Sequence, residues 1–348
     1  MNKLKFGILA VSIALTSSVV IAGQELSVVG SWSGLPLHKL YEKPFWTEKM
    51  PAASGGEITA SLTTHDQMGI KGGDVFRMLG EGVFDVGMTV SDYAVSDTPA
   101  LEGLDVPLIA MDASSAKVMV EAARPWVDEI FRDVFNAKVL GIAPYPPQVV
   151  FCNADISSLT DLKGKKIRAS GRMTGKLLEA LGAEAVSIGF GEVPGALQKG
   201  LVDCAVTGAG SGYSSGWWEV STHLMPIPLG GWDPVVTAIN LDKWNSLSAD
   251  EQDLIETSVQ SGLEAPAWET AENALATDVA CLTGIGECPG EKHNMILVPV
   301  SDADLETARD ALIQKFCQTG LIVLVGIGPS AGMILWAKLR VLRSPVTN

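Results

Sequence analysis

The chain has 348 residues, with 40 acidic and 25 basic side chains and a formal net charge of −15. This length permits a large core and two lobes. The acidic balance argues against binding to nucleic acid or anionic membranes, and an acidic chain that binds an anion needs a local basic group. The same charge could serve only to keep an abundant soluble protein dispersed.

The N-terminal segment predicts a secretory signal peptide over residues 1–23. Lys3 and Lys5 precede the apolar run Phe6–Ile21, and Val20-Ile21-Ala22 offers small residues for cleavage. The alternative is a retained anchor helix, but the apolar run is short. A signal peptide would direct the chain to an oxidising compartment, where disulfide bonds persist.

Four of the five cysteines are expected to form two disulfide bonds. Cys281 and Cys288 bracket a glycine-containing loop, and Cys152 and Cys204 lie near the ends of strands predicted in one lobe, which leaves Cys317 over. A zinc site is the alternative, but no CxxC pair or nearby group of histidines supports it.

The first part of the chain alternates strands and helices, which is the pattern of an α/β lobe. Strands are predicted at Glu25–Gly30, Glu57–Thr63, Val83–Thr89, Ala137–Ile142 and Val149–Asn153. Helices are predicted at Leu37–Met50, which Pro51 would stop, at Val75–Leu79, and at Ser114–Phe135 with Ser114 as its cap.

The central stretch Asp161–Gly208 predicts strand, helix, strand, helix and strand, which are parallel βαβ units. Ligands of such sheets collect beyond the carboxyl ends of the strands. Arg168 lies near the end of the first of these strands, and Asp203–Thr207 near the end of the third. The following Gly208–Gly216 lacks the GxGxxG spacing of a nucleotide-binding loop and is interpreted as a flexible connection.

Several blocks resemble the DctP-type solute-binding proteins of TRAP transporters. LKGKKIRAS and GFGEVPGALQKGLVDCAVTG carry the resemblance, with the earlier block THDQMGIKGGDVFRMLGEGVFDVGMT, in the expected order over roughly residues 26–312. The resemblance implies an α/β fold of two lobes, each a mixed sheet flanked by helices, with the ligand cleft between them. It also implies an extracytoplasmic receptor that binds a small carboxylate and delivers it to a membrane permease.

The resemblance sets the expected organisation of the chain. Lobe one would comprise residues 24–147 and about 234–262, and lobe two residues 148–233 and about 263–315. The predicted strand Pro234–Asn240 would return the chain to lobe one. Two further helices are predicted, at Ala249–Ala274 despite Pro266 and at Asp302–Lys315 with Ser301 as its cap.

The segment 316–348 departs from the family. Leu321–Ala337 is apolar and followed by basic residues, but it is at the low end of the ~17–25 residues that a membrane span needs. A frameshift is favoured over such an anchor, because the family ends in a polar helix and a shifted reading frame here can encode one. Cys317 would then not belong to the native fold.

Arg168 is the leading candidate for ligand binding. A guanidinium presents paired donors that match a carboxylate. A structural salt bridge is the simpler interpretation of one arginine, but the family resemblance at this position favours the ligand. No second arginine stands at Asn153-Ala154, where some relatives have one, which argues against a sialic-acid-type ligand.

Gln148, Trp218 and Glu219 resemble a subgroup whose members hold a 2-oxo acid through a bound cation. The ligands there are a Gln side chain, a Trp backbone carbonyl and a Glu carboxylate, which suit a hard cation such as calcium or sodium. Gln148 and Glu219 are therefore candidate metal ligands, although Val220 replaces the proline expected after the glutamate. An aromatic wall with a solvated Glu219 is the alternative.

Residues on loops at the ends of predicted strands complete the candidate contacts. They are Trp32, His65, Gln67, Thr89, Asp92 and Tyr93 in lobe one, and Tyr145, Phe151 and Thr207 in lobe two. Their aromatic content suggests an apolar part on the ligand. The motifs HExxH, P-loop and CxxC are missing. We therefore expect a receptor for a 2-oxo or hydroxy acid; a secreted α/β enzyme and a membrane-tethered sensor are the alternatives.

Overall fold

The structure, a computed structural model, describes residues 23–319, with side chains as far as Lys315. Nearly all of the predicted signal peptide, the apolar run of the tail and the side chain of Cys317 lie outside the described residues. Within residues 23–319, no helix is both long and apolar enough to cross a bilayer.

Eleven strands and ten α-helices build this part of the chain. The strands are β1 (Gln24–Gly30), β2 (Ile58–Thr64), β3 (Val86–Val90), β4 (Ala137–Ala143), β5 (Gln148–Cys152), β6 (Lys166–Ala169), β7 (Glu184–Ser187), β8 (Cys204–Gly208), β9 (His223–Met225), β10 (Val235–Asn240) and β11 (Ile296–Leu297). The α-helices are α1 (Met50–Ala53), α2 (Val75–Gly80), α3 (Ala113–Phe135), α4 (Arg172–Ala180), α5 (Val193–Gln198), α6 (Ala209–Ser214), α7 (Leu241–Ser246), α8 (Ala249–Val259), α9 (Ala265–Thr283) and α10 (Asp302–Thr319).

Shorter helical turns connect these elements. Three are π-helical, His38–Glu42, Phe45–Lys49 and Gln260–Glu264. Six are 3₁₀-helical, Gly72–Asp74, Ser91–Ala94, Pro99–Leu104, Leu159–Leu162, Phe190–Glu192 and Trp217–Glu219.

The first sheet has the strand order β2-β1-β3-β10-β4. β1 pairs in parallel with β2 and β3, whereas β10 runs antiparallel to β3 and β4. Every residue of β3 and β10 is buried, because helices cover both faces of the sheet. Apolar clusters lie on the two faces, one around Phe131 of α3 and one around Trp46.

The second sheet has the strand order β11-β9-β5-β8-β6-β7. β6 is parallel to β7 and β8, and β5 is antiparallel to β8 and β9. The predicted α/β class is confirmed: each lobe is a mixed sheet flanked by helices. The carboxyl ends of β6 and β8 point to the same edge of this sheet, which prepares that edge for a ligand.

Two segments cross between the sheets, Pro144–Pro147 after β4 and residues 226–234 before β10. They are joined to each other, since the backbone N–H of Tyr145 donates to Trp232 O at 2.9 Å and that of Gly230 to Gln148 O at 3.1 Å. Helix α9 also spans the lobes. Trp268 near its start donates its indole N–H to Ile142 O of β4, and its later turns pack on α6 and β9. These segments form the hinge.

Three local expectations are corrected. The helix expected to stop at Pro51 runs on to Ala53, because a proline early in α1 loses no helical hydrogen bond. The stretch expected to be a flexible connection contains α6, whose first residues are buried. Helix α3 is capped by Asp112, which accepts from the Ser115 N–H at 2.7 Å, rather than by Ser114.

Both expected cysteine pairs are bonded in the structure. Cys152 and Cys204 lie directly opposite each other on β5 and β8, and Cys281 joins Cys288 across the loop after α9.

We predict that changing Cys152 and Cys204 together to alanine lowers the free energy of unfolding by about 2–4 kcal/mol, since the bridge restricts the unfolded chain. Urea unfolding measures this loss. Free thiols at these four cysteines in the unreduced wild type would contradict the pairing.

Candidate functional site

A cavity lies between the two lobes, at the hinge. Its volume is about 20 Å³, which leaves room for about one or two water molecules. Its lining is Trp32, Leu35 and Tyr93 from the first lobe, Tyr145, Gln148 and Asp233 from the hinge, and Arg168, Ser170, Phe190, Thr207 and Ser211 from the second lobe. Three separate parts of the chain therefore meet around one small space.

Arg168 is the deepest cation of this cavity. It lies in β6, between β7 and β8, and only 2% of it is exposed. Its Nε donates to Ile188 O at 3.0 Å and its Nη1 to Val206 O at 2.7 Å. Both acceptors are backbone carbonyls of the second lobe, so the guanidinium is held in one orientation without an acidic partner.

The rest of the Arg168 guanidinium lies beside Tyr93, which lines the same cavity and whose hydroxyl group favours the charged form of the arginine. Within residues 23–319, its Nη2 has no hydrogen-bond partner and no salt bridge includes this arginine. Burial lowers the pKa of Arg168, while Tyr93 and Asp233 oppose that shift. Because an arginine stays protonated in proteins, the cavity keeps one fixed positive charge.

Aromatic side chains form one wall of the cavity, around Trp32. Its ring centroid lies 5.7 Å from that of Tyr93, 6.4 Å from Tyr145 and 6.0 Å from Phe190, all edge to face. Trp32 follows β1 and Phe190 follows β7, so this contact crosses the cleft between the lobes. The wall gives the cavity an apolar side opposite its charged groups.

The cavity lining also includes polar side chains, and one of them, Gln148, has a buried polar atom without a hydrogen-bond partner among the described residues. Gln148 is 1% exposed, and its Nε2 has no hydrogen-bond partner among the described residues. A buried amide without a partner is costly, so it indicates a polar group that completes the site. The hydroxyl groups of Ser170, Thr207 and Ser211 line the same cavity.

Asp233 is a cavity residue that the sequence did not indicate. It lies on the hinge segment just before β10, and its backbone N–H donates to Asp105 Oδ1 at 2.7 Å. Burial, and then the nearby charge of Asp92, raise the pKa of Asp233 to about 7, against the opposing effect of Arg168. The cavity therefore holds a carboxyl group as well as a guanidinium.

Polar contacts hold the lobes together beside the cavity. Asp92, after β3, accepts from the backbone N–H of Arg172 at the start of α4 at 2.9 Å. Glu102 pairs with the Arg172 guanidinium at 2.7 Å and with Lys176 Nζ at 2.6 Å. A Cβ at Gly171 would overlap the Asp92 carboxylate, so glycine is needed there. The two lobes are therefore in direct contact beside the cavity.

Six of the ten expected ligand-contact residues line the cavity: Arg168, Gln148, Trp32, Tyr93, Tyr145 and Thr207. The other four do not line it. Gln67 is exposed and accepts from Thr64 Oγ1, and Thr89 is buried behind Tyr93 next to Gly72. Trp218 stacks on His293 at 3.6 Å, and Glu219 is exposed.

The remaining loop candidates have structural contacts. His65 packs against Trp32 at 4.6 Å and Phe151 against Trp217 at 5.4 Å, and neither lines the cavity. Sequence reasoning missed Leu35, Ser170, Phe190, Ser211 and Asp233. Phe190 follows β7 and Ser170 follows β6, so the rule that ligands collect after parallel strands could have found both.

The oxygen donors proposed for a cation do not converge. Gln148 lines the cavity, whereas Glu219 is exposed near Gly216, and its neighbour Trp218 faces His293. Within residues 23–319, no group of three or more His, Cys, Asp or Glu side chains could hold a metal ion. The cavity lining therefore includes one of the two side chains proposed as cation ligands, Gln148, and not the other, Glu219.

The chain forms two mixed sheets that are joined by a hinge, and the Arg168 guanidinium is buried in the cleft between them. This arrangement defines the class of two-lobed ligand-binding receptors. The chain belongs to the DctP family, described as bacterial extracellular solute-binding protein, family 7, whose model matches residues 36–315. The sequence-based recognition of this family is confirmed, and the family consists of solute-binding receptors rather than enzymes.

The chain is 24% identical over 226 residues to a solute-binding protein of Sulfitobacter sp. (strain NAS-14.1), covering 61% of this chain and 64% of that protein. It is 29% identical over 145 residues to the ectoine-binding periplasmic protein TeaA of Halomonas elongata, covering 40% and 41%. The chain thus spans less than two thirds of each of these relatives.

A similar fold is seen in DctP7, a Bordetella pertussis extracytoplasmic solute receptor binding pyroglutamic acid. The two structures superpose with a TM-score of 0.75 at 18% identity, over 85% of this chain and 94% of the other. At this identity the likeness concerns the fold alone.

Proposed function

We propose that this protein is the periplasmic receptor of a TRAP transporter and binds a small carboxylate through Arg168. One observation carries the proposal: a guanidinium held by two backbone carbonyls lines the cleft and has no acidic partner among the described residues. A ligand carboxylate would accept from this guanidinium, and a charged hydrogen bond of this kind contributes about 1.5–3 kcal/mol.

The rest of the affinity would come from enclosure. Micromolar binding needs about 8 kcal/mol, so burial of the ligand against the aromatic wall must supply most of it. Trp32 and Phe190 meet across the cleft, and a ligand between the lobes would favour this closed arrangement. The closed form would then present a surface to the membrane permease that accepts the ligand.

The 2-oxo or hydroxy acid expected from the sequence is one member of this ligand class. Its second oxygen would lie against the unpartnered Nε2 of Gln148 or the Thr207 hydroxyl. The ion-bridged form of binding has no support from the positions of Gln148 and Glu219. TeaA, by its name, binds ectoine, and DctP7 binds pyroglutamic acid, so both molecules belong in a ligand screen.

A thermal-shift screen over small organic acids, with pyroglutamate and ectoine included, tests the proposal. A ligand at 100 times its dissociation constant stabilises the folded state by about 2.7 kcal/mol, which corresponds to roughly 5 °C in Tm for a chain of this size. We expect at least one carboxylate to give such a shift and its amide analogue to give none. Equal shifts with acid and amide would contradict a role for the carboxylate.

A further inference from the structure

Two opposite charges face the same cavity without forming a pair. Arg168 and Asp233 both line it, and each affects the pKa of the other through its charge. Within residues 23–319, however, no salt bridge includes either of them. The protein therefore keeps a buried guanidinium and a partly buried carboxyl group unpaired on the walls of one cavity.

The Asp233 carboxyl group has no partner of its own. Only its backbone N–H is bonded, to Asp105; in the described part of the chain, no donor reaches its side-chain oxygens. The other carboxylates nearby are Asp92 and Asp105, which are 5% and 1% exposed. Burial and Asp92 disfavour the ionised form of Asp233, Arg168 favours it, and a positive group from the ligand would favour it further.

The backbone holds Asp233 in place at a conformational cost. Its φ is +45°, in the left-handed region that most residues avoid. The preceding Gly231 packs so closely on Asp105 that a Cβ there would overlap the carboxylate. Strained backbone of this kind persists where the surroundings require it, and here it directs a carboxyl group into a ligand cavity.

The aromatic wall suits a cation as well as an apolar group. Trp32, Tyr93 and Tyr145 line the same space as Asp233. The face of an aromatic ring attracts a positively charged nitrogen, most strongly when both are removed from water. A simple 2-oxo acid would use Arg168 and would bring no positive group to Asp233 or to this wall.

We propose that the ligand is a zwitterion whose carboxylate binds Arg168 and whose positively charged nitrogen lies against Asp233 and the aromatic wall. This inference rests on the proposed function, since it takes the carboxylate contact with Arg168 as given. It adds a second required group, and it makes Asp233 the residue that selects zwitterions over acids of the same shape.

Isothermal titration calorimetry with pairs of matched probes tests the inference. Glycine betaine is compared with 3,3-dimethylbutyrate, in which carbon replaces the charged nitrogen, and proline with cyclopentanecarboxylate. Each is titrated into the wild type, into Asp233→Asn, and into Asp155→Asn, a change at an exposed surface carboxylate. The comparison within a pair on the wild type does not depend on whether a variant folds.

We expect at least one zwitterion to bind the wild type at least tenfold more tightly than its uncharged-nitrogen partner. In Asp233→Asn, the ratio of the affinity for the zwitterion to that for its matched acid is expected to fall at least tenfold, while the affinity for the acid changes less than threefold. In Asp155→Asn, this ratio is expected to stay as in the wild type. The inference is overturned if the acids bind as tightly as the zwitterions or if no zwitterion binds. If acids bind through Arg168 but zwitterions are not preferred, the inference fails and the proposed receptor function stands. If neither acids nor zwitterions bind, both the inference and the proposed function fail.

Discussion

Replacing Arg168 by alanine is expected to abolish most of the ligand affinity. Removing one partner of a buried, hydrogen-bonded charge pair costs about 2–5 kcal/mol, which is a loss of roughly 30-fold to several thousand-fold. The loss would be large here because the guanidinium is 2% exposed and water cannot replace it easily. Titration calorimetry with the best acid from the screen measures the change.

Arg168→Lys separates charge from shape. Lysine keeps the positive charge but lacks the planar fork and cannot reproduce the bonds to Ile188 O and Val206 O together with a carboxylate contact. We expect it to bind only slightly better than Arg168→Ala. Arg132→Ala, at a half-exposed surface arginine, is the control and should bind as the wild type does. Urea unfolding of each variant separates a loss of affinity from a loss of fold.

Raising the pH from 4 to 7.5 is expected to destabilise the ligand-free protein through Asp92. Burial raises the pKa of this carboxyl group from its ordinary value near 3.8 to about 6. Between these values the folded protein binds a proton that the unfolded chain has lost. The stabilisation is therefore full below about pH 4 and is lost as the pH rises through 6. A difference of about two pKa units corresponds to about 2–3 kcal/mol.

The variant Asp92→Asn measures how much of the pH dependence of stability comes from Asp92. Its side-chain oxygen can still accept from the Arg172 N–H, but the group no longer titrates. We expect the stability of the variant, relative to the wild type, to rise by about 2–3 kcal/mol between pH 4 and pH 7.5 in urea unfolding. Asp155→Asn is the surface control. An unchanged difference at the two pH values would show that Asp92 is not buried in the folded protein.

Asp92 also lies at the contact between the lobes. It belongs to the first lobe and accepts from the first turn of α4 in the second, beside the Glu102 contacts with Arg172 and Lys176. The carboxyl group that titrates near pH 6 is therefore one of the polar contacts between the two lobes.

The site residues that the sequence revealed share one property: their position follows from local pattern. Arg168 lies in a short strand of a βαβ unit, and Trp32 and Thr207 lie where a buried strand ends. Parallel strands bring such positions to one edge of a sheet. Arg168 also depended on the family resemblance, since a lone arginine is as easily a structural residue.

The residues that the sequence did not reveal depend on contacts between distant segments. Asp233 precedes a strand, and it reaches the cavity because the two hinge segments bond to each other and because its φ is positive. Trp218 and Glu219 show the opposite case. In the 3₁₀ turn Trp217–Glu219, the buried Trp217 stacks on Phe190, so its neighbours face away from the cavity. A shift of one residue decides which side chain packs on the cavity residue Phe190, and no spacing rule fixes it.

The crystal structure of the protein with the tightest-binding acid from the screen tests the central claim most directly. The account predicts that the ligand lies between the lobes with its carboxylate oxygens about 2.7–2.9 Å from the terminal nitrogens of Arg168. A ligand bound outside this cleft, or one in the cleft with its carboxylate directed away from Arg168, would contradict it.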